Sequence, residues 1–299
     1  MSSVLYDVPG PVARRRERIG SVIGAVVVLV LVGLAARYAA DRGIFAADRW
    51  NVLYDPPKGQ TAADVWQSMI VRGLGATLRA AVVAAPLALA LGLLLALWRT
   101  ARGRWVRLPA IMLIELFRGL PVLLMMLFGL LGFGWDAFTA VVFGLVVYNM
   151  AIIAEILRAG LASLPRGQAE AAYAVGLTRS QTLLTILLPQ AVRTMLPSLI
   201  AQLVVLLKDS SLGFIVGYPE LLKSIQNNAQ YFGNETYIAL FVVGAGIYLA
   251  VNLSLTRLAV WLERRTGRTS APTPGPTAGT TDAVGSARVG GTFGTGTDR

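Results

Sequence analysis

The chain has 299 residues, of which 55% are apolar and only 14% charged, and its mean hydropathy is +0.63. Soluble domains carry about a quarter charged residues, so this composition argues against a soluble enzyme and for a chain measured in membrane spans. Cysteine and histidine are absent, which excludes a disulfide framework, a thiol nucleophile, a Cys/His metal site and an imidazole base.

A membrane-crossing helix needs about 20 mostly apolar residues to traverse about 30 Å of hydrocarbon. Six runs meet that length: 19–36, 74–98, 108–133, 137–157, 194–216 and 237–261. The first follows a basic arm, 1–18, whose Arg14, Arg15, Arg16 and Arg18 also suit a signal peptide. The run is long for such a leader and Ala35-Ala36-Arg37 is only a fair cleavage site, so a retained span is expected. Residues 37–67 form a polar extracytoplasmic segment. From Thr266 onward the chain is Thr, Gly, Pro and Ala with almost nothing to bury, and a disordered tail over 266–299 is expected.

The 27 Lys and Arg against 16 Asp and Glu give +11, and their positions decide what that charge means. Four arginines precede span 1, and Arg99, Arg102, Arg104 and Arg107 separate spans 2 and 3. Arg158, Arg166, Arg179 and Arg193 lie between spans 4 and 5, and Arg257, Arg264, Arg265 and Arg268 follow the sixth. The alternate loops hold Trp135-Asp136 and residues 218–236, where Lys223 is the one basic residue. Six spans with both termini in the cytoplasm satisfy every loop. The basic excess is thus a topology signal and not a nucleic-acid footprint. Arg72 and Arg79 fall at the outer end of span 2, where they either snorkel outward or line an aqueous cavity.

Catalytic chemistry finds little to work with. There is no G-x-S-x-G elbow and no acidic pair at metal-binding spacing. A phosphate-binding loop needs a lysine after glycine, yet Lys58, Lys208 and Lys223 each follow another residue. No cofactor is expected on this chain, and ATP hydrolysis by that route is excluded.

One segment between spans 4 and 5, 163–189, carries a compact pattern. Pro165 suits a first helical turn, where its missing N–H costs nothing. Small residues lead to Gly176, which can end a helix in the left-handed conformation. Thr178 with Gln181 three residues on forms a capping box for a second helix, and Pro189 is expected to stop or bend the chain. The result is a helix–turn–helix elbow, which by itself fits an interfacial amphipathic hairpin as well as a docking element.

Glu170-Ala171-Ala172, Gly176 after three more residues, and Ile186-x-Leu188-Pro189 after nine more resemble the EAA loop of bacterial ABC importer permeases at the family spacing. Ile114-Glu115-Leu116-Phe117-Arg118-Gly119-Leu120-Pro121 is similar to the I-E-x-x-R-G-x-P element of the polar amino-acid subfamily. Ala154-Glu155-Ile156-Leu157-Arg158-Ala159-Gly160 resembles its E-x-x-R-G-G stretch, with Ala159 in place of a glycine. Pro165-Arg166-Gly167-Gln168 and Lys208-Asp209-Ser210-Ser211-Leu212 also match, Ser210 standing where Thr is usual. The likeness runs from about residue 72 to 263, and its layout is most similar to actinobacterial glutamate-uptake permeases.

That resemblance implies an all-α integral membrane protein of the type I importer class, with its permease domain over 70–263. It implies a non-catalytic subunit in the bacterial cell membrane that moves a polar amino acid, glutamate as the best guess. A cytoplasmic ABC ATPase dimer would burn the ATP, a second, related permease chain would complete the pathway, and an extracellular binding lipoprotein would deliver substrate. Glu170, Ala171, Ala172, Gly176, Ile186 and Pro189 would couple to the ATPase. A self-sufficient secondary carrier or channel is the competing class, although no convincing internal repeat supports it.

Charges inside the spans are costly, roughly 2.5–3.5 kcal/mol each when unpaired. Glu115 and Arg118 sit one turn apart about 10 Å into span 3, and Glu155 and Arg158 repeat that spacing in span 4. These four serve as structural glue, as a gate or as substrate contacts, with Glu115–Arg158 allowed as a cross-pair. Lys208, Asp209, Ser210 and Ser211 interrupt span 5, as cavity lining or as helix packing. Asn149 faces the cavity or a neighbouring helix. Pro86, Pro121 and Pro197 read as kinks, and Trp66, Trp98, Trp105, Trp135 and Trp261 as interface belt residues.

Overall fold

The computed structural model describes residues 10–266, all of whose regular structure is helical. Helix α1, Pro11–Asp41, starts inside the expected basic arm and outruns the 19–36 span at both ends. Its most apolar stretch buries nothing against the rest of the protein. The sequence explains the isolation, because Val and Leu surround the whole circumference and leave no polar face to steer packing.

The 37–67 segment folds back as a cap. Helix α2, Ala47–Trp50, leads into a 3₁₀ turn, Asn51–Leu53, whose Val52 is fully buried. The Trp50 indole donates to the Ile44 carbonyl at 2.9 Å and the Trp66 indole to that of Leu53 at 3.0 Å. Trp66, read from sequence as a belt residue, is therefore a structural pin.

Helix α3, Ala62–Trp66, opens with a Thr61–Asp64 capping box. It continues through wide π turns, Gln67–Leu74, into α4, Gly75–Arg99, as one rod of 38 residues. At 1.5 Å per residue that is about 57 Å, so the rod projects well beyond any bilayer core. Its Ala-rich face, with Ala80, Ala84 and Ala88, lies on α7. The contact is close enough that a Cβ on Gly92 would stand 2.7 Å from the Ile153 side chain and 2.9 Å from the Met150 carbonyl.

The run 108–133, expected as one span, is instead two helices. Helix α5, Arg104–Gly119, and helix α6, Val122–Leu127, extended by π turns Phe128–Gly132, meet at 102°. Leu120 precedes proline and is pushed to extended backbone, φ −96° and ψ 137°, while Pro121 takes the N-cap of α6. The kink expected at Pro121 is thus a full corner, whereas Pro86 and Pro197 lie within uninterrupted α4 and α10.

Helix α7, Ala137–Ser163, is the central post, capped by Asp136, which accepts from the Phe138 and Thr139 amides. The elbow contributes α8, Arg166–Ala174, and α9, Arg179–Gln181. Helix α9 runs through π turns Thr182–Leu187 into α10, Leu188–Asp209, and a 3₁₀ stretch, Ser210–Phe214. Helix α11, Leu221–Phe232, precedes the last helix, α12, Tyr237–Thr266.

Two apolar clusters hold the bundle. The larger joins α4 and α7 with Ile114, Met126, Leu199 and Leu206, and the smaller packs Val52, Val65 and Met69 against Leu221, Ile225, Phe232 and Leu240. Among the described residues five helices are long and apolar enough to cross a membrane, and the α5–α6 corner supplies a sixth if it counts as one span. The tail expected beyond residue 266 and the first nine residues of the basic arm lie outside the described residues.

Candidate coupling elbow and buried charges

The elbow is built from local hydrogen bonds that its sequence encodes. Gly176 takes φ +85°, and the Leu177 amide donates to the Ala172 carbonyl at 3.1 Å while Gly176 donates to Tyr173 at 3.0 Å. That pair is a Schellman closure of α8. Directly after it, the Gln181 side chain accepts from the Thr178 amide at 2.9 Å, and the Thr178 hydroxyl accepts from the Gln181 amide at 3.3 Å.

Glu170, Ala171 and Gly176 are exposed on this elbow, and Val175 at its tip is 78% exposed. Ala172 departs from the expectation of surface contact. It is buried, because the Schellman closure turns it inward and α8 leans on the π turns that follow. Pro189 departs too. It neither stops nor bends the chain, since residues 179–214 form one rod. Its ring follows the widened turns 182–187, which relieve the clash a proline makes with the preceding turn. Pro189 is exposed and Ile186 half-buried beside a shallow pocket shared with Thr185, Gln190 and Arg193. An open cleft of about 990 Å³ separates the elbow from the end of α4, with Arg102, Tyr173, Leu177, Arg179 and Leu184 along it.

Just above the elbow the span charges pair. Glu155 accepts from Arg99 at 2.8 Å and from Arg158 at 2.5 Å, and Glu115 accepts from Arg118 at 2.7 Å. The cross-pair allowed between Glu115 and Arg158 does not form as a bridge. Arg99, read from sequence only as a topology marker, is the cross-helix partner of Glu155. Arg118 and Glu115 nonetheless lie within electrostatic range of the Glu155–Arg158 pair. The signal for Arg99 was present, because a helix ending in arginine beside a span carrying an acid has a ready partner at equal depth.

Deeper in the bundle, the fully buried Asn149 donates to the Leu145 carbonyl at 2.7 Å and accepts from Gln202 of α10 at 2.8 Å. It joins two helices and is shut off from solvent. Lys208 and Asp209 end α10, with Lys208 exposed and Asp209 half-buried. Ser210 is buried and caps its own helix through the Leu207 carbonyl at 2.7 Å, so of the expected cavity lining it is packing. The Tyr248 hydroxyl reaches across from α12 to the carbonyls of Leu207 and Lys208.

Ser211 lines a cavity of about 200 Å³ with Glu220, Ile225, Phe241, Gly244 and Tyr248. Sequence reading missed Glu220. One carboxyl oxygen caps α11 by accepting the Lys223 amide at 2.7 Å, the other is buried without a hydrogen bond, and burial holds its pKa above the usual carboxylate range. Its acid residue after proline, ahead of an amphipathic run, was the available N-cap signal. Away from the elbow, four cations of the described residues rest on rings, among them Arg79, 4.7 Å from the Phe138 centroid, and Lys223, 5.5 Å from that of Phe214. Among the described residues no group of three acidic side chains converges to hold a metal.

The family described as binding-protein-dependent transport system inner membrane component matches residues 88–268, more than half the chain. The glutamate transport system permease protein GluD of Corynebacterium glutamicum is 46% identical over 236 residues, covering 76% of this chain and 83% of that protein. The arginine transport system permease protein ArtQ of Bacillus subtilis is 33% identical over 204 residues, covering 66% and 91%. A crystal structure of an amino acid ABC transporter with histidines superposes at TM-score 0.62 with 30% identity, over 68% of this chain and 97% of that one. The inward-facing methionine transporter MetNI shares the fold alone, at TM-score 0.55 and 20% identity, over 67% and 97%. A capped elbow below paired span charges, on a bundle that these permeases share, leaves one assignment: the chain belongs to the binding-protein-dependent transport system inner membrane components, the non-catalytic permease subunits of ABC importers.

Proposed function

We propose that this protein is half of the membrane pathway of an ATP-driven importer of a polar amino acid, with L-glutamate as substrate. A second, related permease chain forms the other half, a cytoplasmic ABC ATPase dimer receives the elbow, and an extracellular lipoprotein delivers the amino acid. Both termini face the cytoplasm in this arrangement. The identity to a glutamate permease supports the substrate.

The observation that carries the coupling reading is the elbow itself. Its turn is locked by the Schellman closure and the capping box, and Glu170, Ala171, Val175 and Gly176 stand out from it. Because 179–214 is one rod, a push on the elbow passes along α10 to the 3₁₀ stretch Ser210–Phe214 without a hinge at Pro189. Ala172 supports the elbow from within, and Glu170 orients the partner's surface. The Glu155 bridges with Arg99 and Arg158 lie where such a push would be felt, and fit a latch between α4 and α7.

The chain contains no cysteine, so Val175→Cys gives a single label. In the assembled transporter it should cross-link to the ATPase, and proteoliposomes should take up glutamate with ATP inside and stop without it. Uptake driven by an ion gradient in the absence of the ATPase would assign the chain to the self-sufficient carriers instead.

A further inference from the structure

We infer that Arg79 is the residue that reads the side-chain carboxylate of the substrate, and so makes this pathway selective for an acidic amino acid over its neutral amide. The inference rests on the amino-acid import proposed above and names a specificity-determining group within it.

Arg79 differs from the three arginines that pair inside the bundle. Arg99, Arg118 and Arg158 each hold a carboxylate within 2.8 Å. Among the described residues Arg79 has no carboxylate within bridging distance and makes no hydrogen bond, and its guanidinium lies over the face of Phe138. Stacking of a guanidinium occupies its plane and leaves the N–H groups on its edge directed away from the ring. A planar fork of unused donors is the chemistry that accepts a carboxylate in two parallel hydrogen bonds.

Its position suits a mouth of the pathway. Arg79 precedes Arg99 on the same helix by 20 residues, about 30 Å at 1.5 Å per residue, which is the thickness of the hydrocarbon core. With Arg99 in the inner charge cluster, Arg79 stands at the outer edge.

The side chain is exposed and lies against Phe138, at the outer start of α7. Phe138 in turn stacks against Tyr218, centroids 5.9 Å apart, and the Tyr218 hydroxyl is tied to the Ala76 carbonyl of α4 at 2.9 Å. Tyr218 packs on Gly213, so close that a Cβ there would lie 3.2 Å from the tyrosine side chain. Gly213 belongs to the 3₁₀ stretch Ser210–Phe214, and irregular backbone at membrane depth is tolerated where it is covered by protein or lines water. The guanidinium therefore rests on a ring that is itself braced by Tyr218, near the 3₁₀ stretch that follows α10, with its donors unspent.

Glutamate and glutamine are nearly isosteric and differ in the charge that Arg79 would meet. Uptake of each, carried by the complete transporter in proteoliposomes, gives a ratio that is insensitive to expression. Arg79→Gln should lower the glutamate-to-glutamine ratio by about tenfold or more, the scale of one lost charge-assisted pair, and Arg79→Lys should restore part of it. A headgroup anchor at the same place leaves the ratio unchanged, and an unchanged ratio, or equal loss of both substrates, overturns the assignment. A second measurement needs no variant. In the wild-type complex, millimolar glutamate should slow modification of Arg79 by phenylglyoxal, read by peptide mass spectrometry, while glutamine should not. Equal rates with the two amino acids overturn the assignment as well. Wild-type transporter that imports neither amino acid would sink the underlying reading, whereas normal glutamate import with an unaltered Arg79→Gln ratio sinks only the role of Arg79.

Discussion

Burying the Glu220 carboxyl at the start of α11 removes it from water while one of its oxygens finds no hydrogen-bond partner. Tyr218 in the same loop, Lys223 on α11 and Tyr248 on α12 face this region, with Asp209 behind Tyr248. None of them bridges the carboxyl, so desolvation dominates and the neutral acid is favoured. A folded pKa raised above the unfolded one contributes stability that is fully present below the unfolded value and is lost as pH rises through the folded value. The melting temperature of the purified protein should accordingly fall across that window, and Glu220→Gln, which keeps an oxygen to cap α11, should flatten the fall. Identical pH slopes for the two proteins would show that Glu220 is already paired in the folded state. Residue identity alone did not expose this group, since a glutamate after proline in a loop reads as solvated until α12 is placed over it.

Elements are where local chemistry spoke most plainly. The end of α8 at Gly176 and the capping box from Thr178 to Gln181 each follow from a few neighbouring residues and stand in the structure where the spacing put them, while the kink expected at Pro121 sharpens into a corner. Thr178→Ala should cost about 1 kcal/mol of cap stability and speed hydrogen exchange at the Gln181 amide. Gly176→Val should cost about 1–2 kcal/mol through its positive φ, whereas Gly176→Asn should be nearly silent in exchange, because asparagine tolerates that conformation and a Cβ there meets nothing within 4 Å. Protection at Gln181 that survives Thr178→Ala would mean that packing, not the cap, holds the elbow. Pro189 shows the limit of element-level reading. A proline inside a helical pattern predicts a break, and only the widened turns before it, set by how α8 leans on them, let the rod continue.

Across the whole molecule, stability resides in the α4–α7 cluster and in the cap packed under α11 and α12, and α1 stands apart from both. Its arginines Arg14, Arg15, Arg16 and Arg18 extend the helix instead of forming a separate arm. A chain lacking residues 1–41 should therefore keep the melting temperature of the full protein within about 2 °C, since loss of unburied surface costs little. A larger drop would reveal that α1 packs on the bundle in the membrane.

Most spans, the elbow's turn and the family likeness were legible from the chain because each depends on residues near one another in sequence: run length, capping pairs and a spaced motif. Tertiary structure alone decided that Glu155 takes Arg99, that Asn149 takes Gln202, that Ala172 turns inward and that Arg79 lies on Phe138. Apart from Ala172, those partners come from separate helices. Period and spacing say which face a residue occupies, but only the packing of one helix on another determines which side chain meets it there.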